Sequence, residues 1–328
     1  MKKNVLCSIC ILFIGLSLFS CVEKKVEPVR FAIVSDLHAP DIPDGLQRIE
    51  TVVEAANREK VDFLIQLGDF IRFDSTDTPY REVWDGYKGE KYHVLGNHDL
   101  DKYTKEEYVA HLNMPGRYYS FDKGDFHFIV LDGNNVFNGK EYIPYGRANY
   151  YVDAKMRAFM DPEQMEWLKK DLAATDKRCI LFSHQSIDTF MNNGSEVRKI
   201  LEDENKRCGF KKVALAFSGH NHSNYTKVIN GITYIQINSA SYVWIEQPSM
   251  TEKHYPKEIN DRYSLLSRSI TYDKALYGIV TLTGEGMEMK GTKGNFMPPM
   301  PQEIGLGDSI DVFPLVSSIE DVKVKFED

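Results

Sequence analysis

Cysteine is scarce in this chain, with five among 328 residues. Cys7, Cys10 and Cys21 sit near the N-terminus, so the body carries only Cys179 and Cys208. Cys179 begins an apolar, strand-like run and reads as a buried thiol, with a single disulfide as the alternative in an oxidising compartment. An excess of positive charge is missing too: 40 Lys and Arg face 48 Asp and Glu, for a net charge of −8. No basic stripe offsets that balance, which argues against bulk electrostatic attraction to nucleic acid. Internal repeats and low-complexity tracts are absent. The length suits one large domain, or one domain with a small extension.

The longest apolar run falls short of a membrane span. It covers Val5 to Phe19, follows Met1-Lys2-Lys3, and ends at Ser20-Cys21. Its length and positive flank predict a secretory signal peptide over residues 1–20. Cys21 after Leu18-Phe19-Ser20 resembles a lipobox, which implies cleavage before Cys21 and lipid on its thiol. Phe19 stands where a small residue is usual, so an ordinary signal peptide cut nearby stays open. Residues 21–28, polar through Glu23, Lys24, Lys25 and Glu27, then read as a lipidated tether. Losing Lys2 and Lys3 with the signal takes the charge from −8 to −10. The expected location is that of an exported bacterial lipoprotein, anchored to a membrane in the periplasm or at the cell surface.

What the chain does have is a series of five short patterns of polar ligands, each at or near the end of an apolar run. They are Asp36-Leu37-His38, Gly68-Asp69, Gly96-Asn97-His98-Asp99, Ser183-His184 and Gly219-His220-Asn221-His222. Phe31 to Val34, Phe63 to Ile65 and Tyr92 to Leu95 read as buried strands. Leu46, Ile49, Val52, Val53 and Ala56 recur at helical spacing between the first two, which implies parallel pairing. Tyr118 to Phe121 and His127 to Leu131 flank Lys123-Gly124-Asp125 as a hairpin. Residues 134–160 read as an insertion loop, and Asp161-Pro162 opens a helix. Cys179 to Phe182 and Val213 to Phe217 are further core strands, and Asn230-Gly231 marks a second hairpin. Gly294 to Asp308 reads as a loop or linker. The tail beyond it reads as either an edge strand or a loosely attached end.

Carboxylate, imidazole and amide groups gathered beyond strand ends can hold metal ions. Such oxygen and nitrogen donors suit Mn, Fe or Zn, and the lack of cysteine among them argues against a structural zinc. Taken singly, each pattern arises by chance in many chains. In this order, they resemble the calcineurin-like metallophosphoesterase family. The resemblance, which covers roughly residues 29–240, implies an α/β fold, a layered α/β/β/α sandwich with two central mixed sheets; the domain itself is read as residues 29–293, with an extension at 294–328. It also implies two divalent metal ions. By that resemblance, Asp36, His38, Asp69 and His222 serve the first, and Asp69, Asn97, His184 and His220 the second. Asp69 would bridge through its two oxygens. His220 and His222, two apart in an extended segment, would share a face and each serve one ion.

The activity implied is hydrolysis of phosphomono- or phosphodiesters, with metal-bridged hydroxide attacking phosphorus in line. His98 would assist the leaving group as an imidazolium, and Asp99 would accept a hydrogen bond from it. Purple acid phosphatases carry tyrosine where this chain has Arg72 and lack the histidine found here at position 38. The chain is therefore similar to the Asp-x-His branch, which includes manganese-dependent ADP-ribose/CDP-alcohol diphosphatases and cyclic-nucleotide phosphodiesterases. The expected partner is a small phosphorylated substrate, with Tyr145, Tyr150, Tyr151, Tyr242 and Trp244 as candidate stacking rings. His93, His111, His127 and His254 read as structural. Two other readings stay open: a non-catalytic surface binding lipoprotein on this scaffold, and an extracellular scavenging nuclease.

Overall fold

The computed structural model describes residues 26–71 and 77–326. The signal peptide, Cys21, residues 22–25 of the tether and Arg72 lie outside the described residues. Two six-stranded sheets form the centre. In the first, β1 (Val29–Val34) pairs in parallel with β2 (Phe63–Gln66), and β2 with β3 (Glu90–His93). On the other side of β1, β14 (Gly278–Thr283), β15 (Gly286–Gly291) and β18 (Val322–Lys325) add antiparallel neighbours. The tail thus ends as an edge strand.

The second sheet runs from β4 (Tyr119–Lys123) through β5 (Phe126–Leu131), β8 (Arg178–Ser183), β9 (Val213–Ser218) and β11 (Ile232–Gln236) to β10 (Tyr225–Ile229). Its four central strands are parallel, and an antiparallel hairpin closes each edge. Both sheets are mixed, as expected. Three short two-stranded ribbons complete the strands: β6 (Asn135–Phe137) with β7 (Tyr142–Pro144), β12 (Tyr242–Trp244) with β13 (Ser269–Thr271), and β16 (Ser309–Ile310) with β17 (Phe313–Pro314). The first of these sits inside the segment that the sequence marks only as a loop.

Alternation along the strands builds the layers. Phe128 and Val130 of β5, Ile180 and Phe182 of β8, and Leu215 and Phe217 of β9 face the first sheet. Their neighbours Ile129, Leu131, Leu181 and Val213 turn outward onto Leu168 and Leu172 of α4 (Pro162–Ala174) and Val197 and Leu201 of α5 (Gly194–Cys208). On the opposite face, α1 (Gly45–Glu59) lays Ile49, Val52, Val53 and Ala56 against β1. Two short helices, α2 (Thr78–Trp84) and α3 (Lys105–His111), were not signalled by apolar spacing. For α3 the cue is a capping box, in which Thr104 and Glu107 satisfy each other's backbone N–H groups.

Phe31 is the centre of the inter-sheet packing. It stacks on Phe63 at 4.8 Å and meets Phe128, Phe182 and Phe217 edge-on at 5.7–6.0 Å. Phe31→Ala leaves a cavity that rigid sheets cannot close, so a loss of about 3–5 kcal/mol is expected. Urea unfolding measures it; a loss below about 1 kcal/mol would mean the sheets can slide together. Cys179 is buried and both body cysteines are free thiols, so the disulfide alternative is not taken.

Candidate metal centre and its cleft

The parallel strands β1, β2, β8 and β9 all end at one edge of the sandwich, and the five motifs follow those ends and the end of β3. The chain must turn sharply there. Asp36, His38, Asp69, His220 and His222 all adopt positive φ, between 43° and 73°. Such strain at five non-glycine positions persists only where the surroundings enforce it. Gly68 and Gly96 permit the closest approach. A Cβ on Gly96 would collide with the Asp69 backbone nitrogen and carboxylate, and one on Gly68 would lie 2.6 Å from His184 Nδ1.

Two triples of side chains result, Asp36–His38–His222 and Asp69–His184–His220. In the first, His222 Nε2 lies 3.3 Å from both Asp36 Oδ1 and His38 Nε2. In the second, His184 Nε2 lies 3.2 Å from Asp69 Oδ2, from His220 Nδ1 and from Asn97 Oδ1. Asp69 Oδ2 also lies 3.7 Å from His38 Nε2, so this one atom faces both triples. Its other oxygen, Oδ1, accepts the His98 backbone N–H at 2.8 Å. His220 and His222 do part between the triples, but by left-handed turns at each residue rather than by extended alternation.

The donor chemistry fits divalent cations. His184 Nδ1 donates to the Leu67 carbonyl at 2.8 Å, and His222 Nδ1 to the Tyr242 carbonyl at 2.6 Å. A carbonyl can only accept, so Nδ1 carries the ring proton in each, and Nε2 is the nitrogen turned inward, where a metal ion would displace any second proton. Burial drives His220 down to about 3 and His38 well below the usual imidazole range. Burial opposes protonation of His184 as well, yet the Asp69 and Asp36 carboxylates push it up to about 9. Asp36 Oδ2 accepts from the Ser35 hydroxyl and the His220 N–H, whereas buried Asp36 Oδ1 accepts no hydrogen bond. Inward-facing ring nitrogens and a carboxylate oxygen without a hydrogen bond, gathered in a buried site, are what a cation needs.

His98 and Asp99 part company. The carboxylate beside His98 is that of Asp101, with Oδ2 3.0 Å from His98 Nδ1. Asp99 instead accepts from the backbone N–H groups of Gly96, Asp69 and Phe70 and from the Tyr108 hydroxyl. It lies on the buried side of a short 3₁₀ turn, His98–Leu100, and clamps the loops carrying Asp69 and Asn97. Burial, reinforced by the Asp69 charge, raises it to about 7. The expected Asp99 contact to His98 is therefore replaced by Asp101, because three further along a helical turn shares a face and one further does not.

Both triples open onto a cleft of about 820 Å³. Asp69, Asn97, His98, His220 and His222 line one part of it, and Tyr151, Arg157, Trp244, Arg268 and Phe313 another. Tyr145 and Tyr150 also reach its wall but are buried, and Tyr242 packs face to face with His38 at 5.2 Å. His93, His111, His127 and His254 line no part of it. The segment from Gly305 to Leu315, with the β16–β17 ribbon, supplies another wall. Sequence reasoning missed that wall, and nothing local in its glycines and prolines marks it. Asp101 was missed as well, although its acidic side chain three residues beyond His98 is a signal.

A model of the calcineurin-like phosphoesterase family matches residues 29–224. A manganese-dependent ADP-ribose/CDP-alcohol diphosphatase from Oryza sativa subsp. japonica is 24% identical over 261 residues, covering 60% of this chain and 78% of the relative. Its namesake from Arabidopsis thaliana is 26% identical over 132 residues, covering 32% and 42%. Among solved structures, a dimetal phosphatase from Danio rerio superposes with a TM-score of 0.61 over 93% of this chain and 100% of its own, at 15% identity. That last likeness is one of fold.

Proposed function

The chain belongs to the calcineurin-like phosphoesterase family, and from that premise we propose that it cleaves phosphodiester or diphosphate links in small nucleotide-like substrates with two divalent metal ions. In this reading Asp36, His38, Asp69 and His222 hold one ion, and Asp69, Asn97, His184 and His220 the other. The observation that carries it is the position of Asp69 Oδ2 between the two triples, beside a cleft far larger than a phosphate group. When bound, the ions supply Lewis acidity to the phosphoryl group and to water. Mn, Fe and Zn all suit the donors, and the curated relatives are named as manganese-dependent diphosphatases.

The chain's own residues supply orientation and a proton. His98 lines the cleft and is anchored through Nδ1, so a proton on its opposite nitrogen, Nε2, can pass to the departing oxygen, an alkoxide from an ester or a phosphate from a diphosphate. Asp99 holds the turn that carries the ligands. A nuclease reading fits less well, because Arg157 and Arg268 on the cleft are matched by Asp101, Glu246 and Asp311, so its described residues form no basic groove for a polyanionic backbone. The test is turnover by the metal-stripped protein resupplied with Mn(II), Fe(II) or Zn(II), using ADP-ribose, a chromogenic phosphodiester and a chromogenic phosphomonoester. Chelator-sensitive cleavage of the first two is expected. Cleavage of none, with metal demonstrably bound, overturns the proposal.

We also propose export and lipid anchorage at Cys21, supported by the N-terminal sequence. No helix among the described residues is long and apolar enough to cross a membrane. Radiolabelled palmitate should enter the protein made in a bacterial host and be lost in Cys21→Ala. Equal labelling of both would exclude that cysteine.

A further inference from the structure

Three tyrosines of the inserted segment form a ladder. Tyr145 stacks on Tyr150 at 4.9 Å, and Tyr150 on Tyr151 at 4.6 Å, with interplanar angles of 26° and 30°. The first two are 2% exposed and the third 64%. Tyr151 is the only aromatic among the exposed large apolar side chains of the described residues, and its ring lies on the cleft. The ladder is fixed at its base, where the Ala158 N–H donates to the Tyr145 hydroxyl at 2.6 Å.

It is also fastened to the turn that carries His98. The Ala148 N–H donates to the Leu100 carbonyl and the Arg147 N–H to that of Tyr103, both at 3.1 Å. Arg147 further donates to the Lys102 carbonyl and pairs with Glu107. The middle ring makes the chemical connection. Its hydroxyl donates to Asp101 Oδ1 and lies 3.0 Å from His98 Nδ1, while Asp101 Oδ2 lies 3.0 Å from the same nitrogen. Both Asp101 oxygens are thereby engaged, which fixes the plane of the imidazole and directs Nε2 away from the anchor.

We propose, resting on the hydrolase reading above, that Tyr151 is the stacking platform for a planar leaving group and that Tyr150 and Asp101 are positioning residues for His98. A nucleoside, nucleotide or other leaving group that carries a planar ring adds that ring to the ladder as a fourth. The exposed face suits it because offset stacking is favourable and indifferent to base identity. Placing the leaving group on Tyr151 brings the same segment that orients His98 into contact with substrate. An aliphatic leaving group meets the oriented His98 but gains no stacking contact.

Two measurements test this. Calorimetry on the Mn(II)-loaded protein compares adenosine 5′-monophosphate with ribose 5-phosphate, which differ by the base. Wild type is expected to favour the nucleotide by about 5- to 100-fold, Tyr151→Trp to keep that preference, and Tyr151→Ala to reduce it to about twofold or less. An undiminished preference in Tyr151→Ala overturns the platform. For Tyr150→Phe, kcat toward an alkyl phosphodiester is expected to fall about tenfold with KM unchanged. Turnover of an activated 4-nitrophenyl diester, which needs little protonation, stays within about twofold. Equal losses on both diesters, or a change confined to KM, overturn the positioning role. A wild type that cleaves neither diester overturns that role and the hydrolase reading together, while the binding ratio still decides the platform.

Discussion

Asp69→Asn is expected to abolish binding of both metals and to lower kcat by roughly 10³-fold or more, the loss of several kcal/mol of charge stabilisation. The geometry leaves the amide no good orientation. Oδ2 faces His184 at 3.2 Å and His38 at 3.7 Å, and Oδ1 accepts the His98 N–H at 2.8 Å. If the amide oxygen takes the central place, its NH₂ meets the His98 N–H as donor against donor. If the NH₂ takes the central place, no lone pair faces the two triples. Bound metal counted by plasma mass spectrometry beside kcat checks this. Two retained equivalents with near-normal turnover would remove Asp69 from the centre.

His98→Ala is expected to do the opposite to metal, keeping both equivalents while kcat falls about 10²- to 10⁴-fold. The side chain belongs to neither triple and its Nδ1 is turned to Asp101. Its backbone N–H holds Asp69, and truncation leaves that bond in place. The loss should be greatest for esters with poor leaving groups, where protonation of the departing oxygen matters most. Metal counts and kcat on a pair of esters separate the outcomes. Equal metal loss in the His98 and Asp69 variants would erase the distinct role given to His98.

The contrast between His98 and Asp99 shows where reading along the chain runs out. Adjacent letters in Asn97-His98-Asp99 suggest a shared task, but on a tight helical turn successive side chains diverge. Asp99 goes inward to four donors, and Asp101 comes round beside His98. The stacking candidates divide for a similar reason. Tyr145, Tyr150 and Tyr151 look alike in sequence, yet only the last keeps an open face, because the first two are used up in the ladder.

The central strands, their parallel order and the ligand-bearing motifs beyond their ends were determined by the sequence itself, whereas the grouping of Asp36, His38, Asp69, Asn97, His184, His220 and His222 as one set was implied by the family resemblance those motifs carry. Those features depend on local periodicity and on motifs placed at strand ends, and both are written in neighbouring residues. The cleft was decided only by the tertiary structure. Its walls come from the inserted tyrosines, from β12 with Trp244, and from residues 305–315, segments that lie far apart along the chain. That Asp69 Oδ2 rather than Oδ1 faces both triples was likewise decided there, because a backbone N–H from another loop occupies Oδ1. Both depend on contacts between segments remote in sequence, for which no local pattern exists.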